Sequence, residues 1–370
     1  MKRILITALV AVLSFSAWAQ NTDIVYHDAS EFPIYGKITD ATPTRYQRLA
    51  KDMEHTTRKP VWGLGKNSAG LYIRFKAEGS MALYFKWKPS RDNSMEHMAD
   101  TGTKGLDLYA LSDEFGWRYL RCAKPIGSGT YEAKLVCGKP EKEYMLYLPL
   151  YDGIASLQIG VEKGGTIAPP DIISPNTQKP VIMYGSSILQ GGCCSRPGMA
   201  HTNILARMLD REVINLGFSG NAKIDYEIAE FMASHPDPGV FVLDYVPNCT
   251  ADMIDEKGEE FFRILRDAHP DVPVVFVQNA VLHGTEIFDK GAERIVKAKN
   301  DAQRRLFEKL KKQGEKNLYF VEGDGMLGYD GEATVDGTHL TDLGMLRYAE
   351  HIYPVVAKAL GMKVKTKKQR

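Results

Sequence analysis

The hydrophobic rhythm of this 370-residue chain changes once, and that change constrains its fold more than any other feature. From about residue 24 to 162 the apolar residues recur at every second position. In LYIRFKAEGSMALYFKWKP (71–89), Leu71, Ile73 and Phe75 alternate with Tyr72, Arg74 and Lys76. After Glu78-Gly79-Ser80 the alternation resumes with Met81, Leu83, Phe85 and Trp87. The pattern predicts half-buried strands, here paired as a hairpin. YMLYLPLYDGIASLQIGV (144–161) repeats the scheme around Asp152-Gly153. Many short strands with turn signals and few helical patterns predict an all-β sandwich.

KGGTIAPPDIISPNTQKP (163–180), with four prolines and two glycines, breaks the rhythm and reads as a linker. Beyond it, apolar runs at 181–184, 212–217, 239–246, 272–278 and 317–323 alternate with helical patterns, clearest at 256–268 and 291–313. Short β-branched runs between helices are the signature of parallel strands covered on both faces. Five such units predict an open α/β sheet, with any ligand at the carboxyl ends of its strands.

The first residues, MKRILITALVAVLSFSAWAQ, are a separate object. Lys2 and Arg3 precede an apolar stretch, and Ala17-Trp18-Ala19 fits the small-x-small rule of signal peptidase. The apolar stretch is shorter than the roughly 20 residues a bilayer span needs. The expected organisation is a leader over 1–19, a β-sandwich over 20–165, a Pro/Gly-rich linker over 166–180, an α/β domain over 181–362 and a basic tail over 363–370. The protein is therefore expected to be exported, to the periplasm or the extracellular space. Removing the leader takes two of 47 basic residues, leaving 45 against 46 acidic ones. So neutral a balance argues against nucleic acid as a partner. An oxidising compartment permits disulfides. Cys122 and Cys137 flank the turn-like PIGSGT and are candidates to face each other across a hairpin.

The first strand of the α/β half runs into VIMYGSSILQGGCC (181–194), which places Ser186 and Ser187 just past a strand end. A serine there can cap a helix or act as a nucleophile. The other strand ends favour the second role for Ser187. GFSGN (217–221) follows the second strand, Asn248 lies beyond the third, and DGTH puts Asp336 three residues before His339 ahead of the last helix. A serine nucleophile needs a general base within hydrogen-bond reach and a third group to orient that base. Asp-x-x-His supplies both, and backbone amides with an Asn side chain can receive the oxyanion. None of the other histidines follows this pattern. His27, His55, His97, His235, His269 and His351 read as structural or exposed, while Arg196, His201 and His283 are candidate contacts at the substrate rim.

The ordered set GSSIL, GFSGN, VPN and DGTH resembles the four sequence blocks of the SGNH (GDSL-type) hydrolases. GLDLYAL (105–111) resembles the Gly-x-Asp-Leu-Tyr module that precedes SGNH domains in some exported Bacteroidetes esterases. The resemblance implies a three-layer α/β/α, flavodoxin-like domain with a five-stranded parallel sheet, preceded by a jelly-roll-like β-sandwich. It further implies Ser187 as nucleophile, His339 as base, Asp336 as its orienting group, and an oxyanion hole of the Ser187 and Gly220 amides with the Asn248 side chain. Ser186 stands where the family has Asp before the nucleophile, and Cys249 where it has Asp after the Asn. A disulfide between Cys249 and Cys193 or Cys194, stiffening the oxyanion loop, is a further expectation.

No His-x-x-x-His or Cys-x-x-Cys spacing, P-loop or dinucleotide fingerprint occurs, so the expected chemistry involves neither metal nor cofactor. The leading expectation is a serine esterase removing short acyl groups, acetyl above all, from carbohydrate. The alternatives are a lipid or thioester acylhydrolase with the same triad, and a glycan-binding protein whose triad is vestigial.

Overall fold

In the computed structural model, residues 23–138, 141–283 and 289–366 are described. The leader therefore lies outside the described residues, as do the last four residues of the tail. The amino-terminal half carries β1 (Ile24–Asp28), β2 (Ile34–Tyr35), helix α1 (Lys59–Gly65), β3 (Tyr72–Glu78) and β4 (Ala82–Pro89). Then come α2 (Asp100–Thr103), β5 (Leu106–Ser112), β6 (Gly116–Ala123), β7 (Tyr131–Val136), β8 (Lys142–Tyr147), β9 (Ile154–Glu162) and β10 (Thr166–Ala168). These strands form two antiparallel sheets, β1-β9-β4-β7 and β10-β3-β8-β5-β6, with β2 on the side of β3. Leu71, Phe75, Phe85, Trp87, Leu108 and Ile159 fill the space between them.

The strand assignment over 71–89 holds, but the hairpin does not. β3 and β4 lie in opposite sheets, so the Glu78-Gly79-Ser80 turn crosses the sandwich. β8 and β9 are divided in the same way, as are β6 and β7. Period-two alternation dictates which face of a strand is apolar, not which strand pairs with it. Cys122 on β6 and Cys137 beyond β7 thus belong to different sheets, and both are free thiols. β10, inside the expected linker, pairs with the edge of β3.

The second half contains β11 (Asn176–Gly185), α3 (Ser187–Gln190), α4 (His201–Leu209), β12 (Arg211–Gly217), α5 (Tyr226–Ala233) and β13 (Val240–Asp244). It ends with α6 (Ala251–Ala268), β14 (Val274–Val277), α7 (Lys290–Lys312), β15 (Leu318–Val321) and α8 (Asp342–Ala359). All five strands are parallel, in the order β12-β11-β13-β14-β15. Helices cover both faces. One apolar layer places Val181, Met183, Val242 and Val275 against Leu205, Ile352 and Val356. The other places Ile182, Tyr184, Phe241 and Leu243 against Phe261, Phe262 and Leu306.

The two halves share these layers. Leu49, Met53, Val61 and Trp62 pack with Tyr184 and Phe218 under one face of the parallel sheet. Ala69, Met98, Leu150 and Tyr151 join the other. Arg48, fully buried, donates to the carbonyls of Leu64 and Asn67 in its own half and of Asn215 and Gly217 across the boundary. This four-fold satisfaction is what makes a buried guanidinium tolerable. Among the described residues no helix is long and apolar enough to cross a membrane.

Candidate active site

The strand order reverses at β11, which lies between β12 and β13 and creates the crevice where open α/β sheets take ligands. Ser187 stands at that point. Gly185 ends β11, and Ser186 caps α3 by accepting from the Ile188 amide at 3.2 Å. The residue in the place of the family's Asp therefore does a capping job, and the next hydroxyl is left for other use.

Ser187 Oγ lies 2.9 Å from His339 Nε2, and His339 Nδ1 lies 2.7 Å from Asp336 Oδ2. Asp336 also accepts from the backbone amides of His339 at 2.7 Å and Thr338 at 3.0 Å. Burial opposes its ionisation, but the bonds from the His339 ring and these two amides prevail and hold its pKa down at about 2. An ionised carboxylate only accepts, so the Nδ1 atom of His339 carries the proton. Nε2 is then the acceptor for the Ser187 hydroxyl.

Gly220 follows β12 with φ of +68°, and a Cβ there would meet nothing within 4 Å. Glycine at this position answers a backbone need, because side chains rarely tolerate the left-handed region. Asn248 and Cys249 secure the same loop. Asn248 Oδ1 accepts from the Ala222 amide at 3.2 Å, and the Cys249 thiol donates to the Ala222 carbonyl at 3.3 Å. With its oxygen so occupied, the Asn248 side chain has its amide hydrogens left to offer. Cys249 thus replaces the family's Asp with a buried thiol, whose pKa burial pushes up to about 12. The expected Cys193/Cys194–Cys249 disulfide is absent. All three thiols are free, and Cys249 is committed to the Ala222 carbonyl on the oxyanion-loop side.

The rim candidates separate. Arg196 donates to Asp107 Oδ2 at 2.6 Å and to the Tyr109 hydroxyl at 2.7 Å, tying the Gly-x-Asp-Leu-Tyr motif to the loop after the nucleophile. His201 is not at the rim at all. It is wholly buried on the inner face of α4, its ring 4.4 Å from that of Tyr348. Its spacing with Ile204, Leu205 and Leu209 is that of a core-facing helix stripe, and this signal was present in the sequence. His283 bonds to Asp324 at 2.7 Å and lines a cavity of about 60 Å³ with Thr334 and Gly337, next to the Asp336 loop.

Three contributors had no sequence signal. The β-half loop before α2 brings His97 to the site, its ring centroid 5.5 Å from that of His339. Tyr151, also from the β half, donates its hydroxyl to the Ser187 carbonyl at 3.3 Å. A Cβ on Gly192 would lie 2.9 Å from the Tyr151 hydroxyl and 3.0 Å from His339 Cδ2, so the histidine could not hold its place beside any larger residue.

A flavodoxin-like parallel sheet with this serine, glycine, asparagine and Asp-x-x-His set along its carboxyl edge is the architecture of the SGNH hydrolases. The chain belongs to the GDSL-like lipase/acylhydrolase family, which its residues 178–357 match. Residues 24–167 match the family described as the N-terminus of SGNH-hydrolase-type esterases. Among solved structures it is similar to a GDSL-like lipase from Bacteroides ovatus ATCC 8483, with 37% identity and a TM-score of 0.86 over 93% of this chain and 100% of that one. The salicylyl-acyltransferase SsfX3 of a tetracycline biosynthetic pathway shares the fold at 17% identity and a TM-score of 0.71, over 95% of this chain and 100% of that one. A search of curated proteins finds no match.

Proposed function

We propose that the protein is an exported serine esterase that removes short acyl groups, acetyl above all, from carbohydrate. The observation that carries the reading is the unbroken Ser187–His339–Asp336 chain of hydrogen bonds at 2.9 and 2.7 Å. Ser187 Oγ attacks the ester carbonyl while His339 Nε2 takes its proton. The carbonyl oxygen becomes an oxyanion held by the Ser187 and Gly220 amides and the Asn248 side-chain amide. Collapse breaks the acyl–oxygen bond, and His339 returns the proton to the departing alcohol. Water, activated by the same imidazole, then hydrolyses the acyl-serine.

Ser187 is only 5% exposed, and Gly192, Tyr151 and His97 surround it and His339, which favours a small acyl group over a long chain. The carbohydrate part rests on the leader sequence and the β-sandwich partner. Export rests on the leader alone.

The test compares hydrolysis of p-nitrophenyl acetate and octanoate, then measures acetate released from acetylated polysaccharides. Acetate is expected to be the better ester, and Ser187→Ala is expected to abolish turnover. A preference for octanoate would move the assignment to a lipid or thioester acylhydrolase. Inertness of the wild type toward every short ester would leave the glycan-binding reading.

A further inference from the structure

The ligating atoms of His97, Cys193, Asp336 and His339 all lie within 4.8 Å of one another. They come from three separate places: the β-half loop, the turn after the nucleophile, and the Asp-x-x-His loop. No sequence spacing reveals them as a set. Two imidazoles, a thiol and a carboxylate are the donor types Zn2+ takes in protein sites. In a tetrahedral zinc site with metal–ligand bonds of about 2.0–2.3 Å, the donors stand roughly 3.3–3.7 Å apart. The widest separation in the cluster has to close by about 1 Å to reach that geometry, while the His339–Asp336 pair, 2.7 Å apart, has to open.

His97 can make that move, being exposed and on a loop. The Cys193 backbone, by contrast, is fixed: its φ of +67° is left-handed backbone that a non-glycine residue adopts at a cost, and the Gly192 amide beside it bonds to the Ser187 carbonyl at 2.8 Å. The backbone that carries the thiol is thereby fixed whether or not a ligand is there, and the thiol lies within 4.8 Å of the other donors.

We propose that His97, Cys193 and His339, with Asp336 as the fourth group, form a binding site for Zn2+ at the mouth of the catalytic centre, and that its occupancy switches the enzyme off. As the Zn–S bond forms, the thiol proton leaves to water. The thiolate and the carboxylate offset the metal's two positive charges. His339 is held by hydrogen bonds at both nitrogens, so capture of either one stops proton transfer. Binding through Nε2 takes the base from Ser187; binding through Nδ1 displaces the proton there, which passes to Nε2, and severs the ring from Asp336.

Inhibition rests on the triad reading given above, whereas metal binding does not, and the experiment keeps the two apart. The full-length protein is titrated with Zn2+ alone by calorimetry, with Co2+ as an optical probe of thiolate coordination, and ester hydrolysis is followed in parallel. One metal per chain is expected, with a thiolate-to-cobalt charge-transfer band, loss of hydrolysis at the same stoichiometry, and recovery on adding EDTA. Cys193→Ser and His97→Ala should each weaken binding by at least about tenfold, since each removes a direct ligand. Ser187→Ala should bind metal as the wild type does. Absence of the cobalt–thiolate band, binding indifferent to both ligand variants, or stoichiometric binding without inhibition of an active enzyme would each overturn the proposal. Metal bound at these residues in a protein inert toward all esters would instead refute the esterase reading and leave the site standing.

Discussion

Arg196 Nη1 lies 2.6 Å from Asp107 Oδ2, joining the loop after Ser187 to β5 of the β half. Asp107 is completely buried and also accepts from the Gly198 amide at 2.8 Å. Burial raises its pKa, and Arg196 opposes that rise. Arg196→Met would leave the carboxylate without its hydrogen-bonded counter-charge, with only the Arg207 guanidinium still offsetting it. The cost of breaking such a pair is about 3–5 kcal/mol. In the variant the Asp107 pKa must climb further, so the native state retains a proton that the unfolded chain has lost. Stability is then lost as pH rises toward that higher pKa, and the denaturant midpoint should fall more at about pH 8 than at about pH 5. KM for a small ester should change little. A raised KM with an unchanged midpoint would return Arg196 to the substrate rim.

Asp336 holds both the His339 ring and the turn that carries it. Asp336→Asn keeps an oxygen acceptor for the Thr338 and His339 amides but no longer enforces the proton on Nδ1. Where a triad's orienting carboxylate becomes an amide, turnover falls by about 10⁴-fold with the fold intact. The expected result is a kcat loss of that order in a protein that still folds, with a melting temperature lowered modestly because the ionised carboxylate's bonds are weakened. Near-wild-type kcat would show that the base needs no orienting group here.

Asn248 separates positioning from charge stabilisation. Asn248→Asp preserves an oxygen for the Ala222 amide and removes the donor proposed for the oxyanion. Loss of one such donor typically costs about 10²–10³ in kcat, and the added negative charge deepens the effect. The fall should lie in kcat and not in KM, because the oxyanion exists only in the transition state. An effect confined to KM would place Asn248 in ground-state binding.

How far these groups could be read from sequence depends on whether the cause is local. β11 to β15, α6 and α7 follow from their own apolar periods, and the Ser187, Gly220, Asn248 and Asp336/His339 blocks sit at strand ends where an α/β sheet puts its ligands. The pairing of β3 with β8 and not with β4 is a non-local choice, invisible in an alternation that either partner would satisfy. The outward face of β3 misleads for the same reason. Tyr72 and Arg74 look like solvent-facing residues, yet both are buried: Tyr72 packs between the half-buried Tyr35 and the buried Tyr147, and Arg74 bonds to the buried Glu143 at 2.8 Å. His97 is the extreme case, since its importance lies wholly in a contact with a residue 242 positions away (339 minus 97).

Asp244 carries the last prediction. Its carboxyl group is buried at the end of β13, one strand over from Gly185, with Oδ1 accepting from the Tyr348 hydroxyl at 2.7 Å. Oδ2 has no hydrogen-bond partner, and His201 Nε2 stands 3.9 Å away, too far to supply one. Burial pushes the Asp244 pKa up to about 7 against the Tyr348 bond, and burial pushes His201 down to about 3, so both are neutral in mildly acidic solution. An unfolded aspartate titrates near 3.9. Between that value and about 7 the native state holds a proton the unfolded chain has released, so stability falls as pH rises through this window. Each unit of separation is worth about 1.4 kcal/mol, which makes the whole effect a few kcal/mol. Glu212, also raised to about 7 by burial, slopes the same way, so the wild-type curve alone cannot isolate either group. The difference between wild type and Asp244→Asn can, because the amide keeps an acceptor for Tyr348 and has nothing to titrate. Urea midpoints should show the variant gaining on the wild type from about pH 5 to about pH 8; a difference that stays level across that range would mean Asp244 is already ionised in the folded protein at the acidic end.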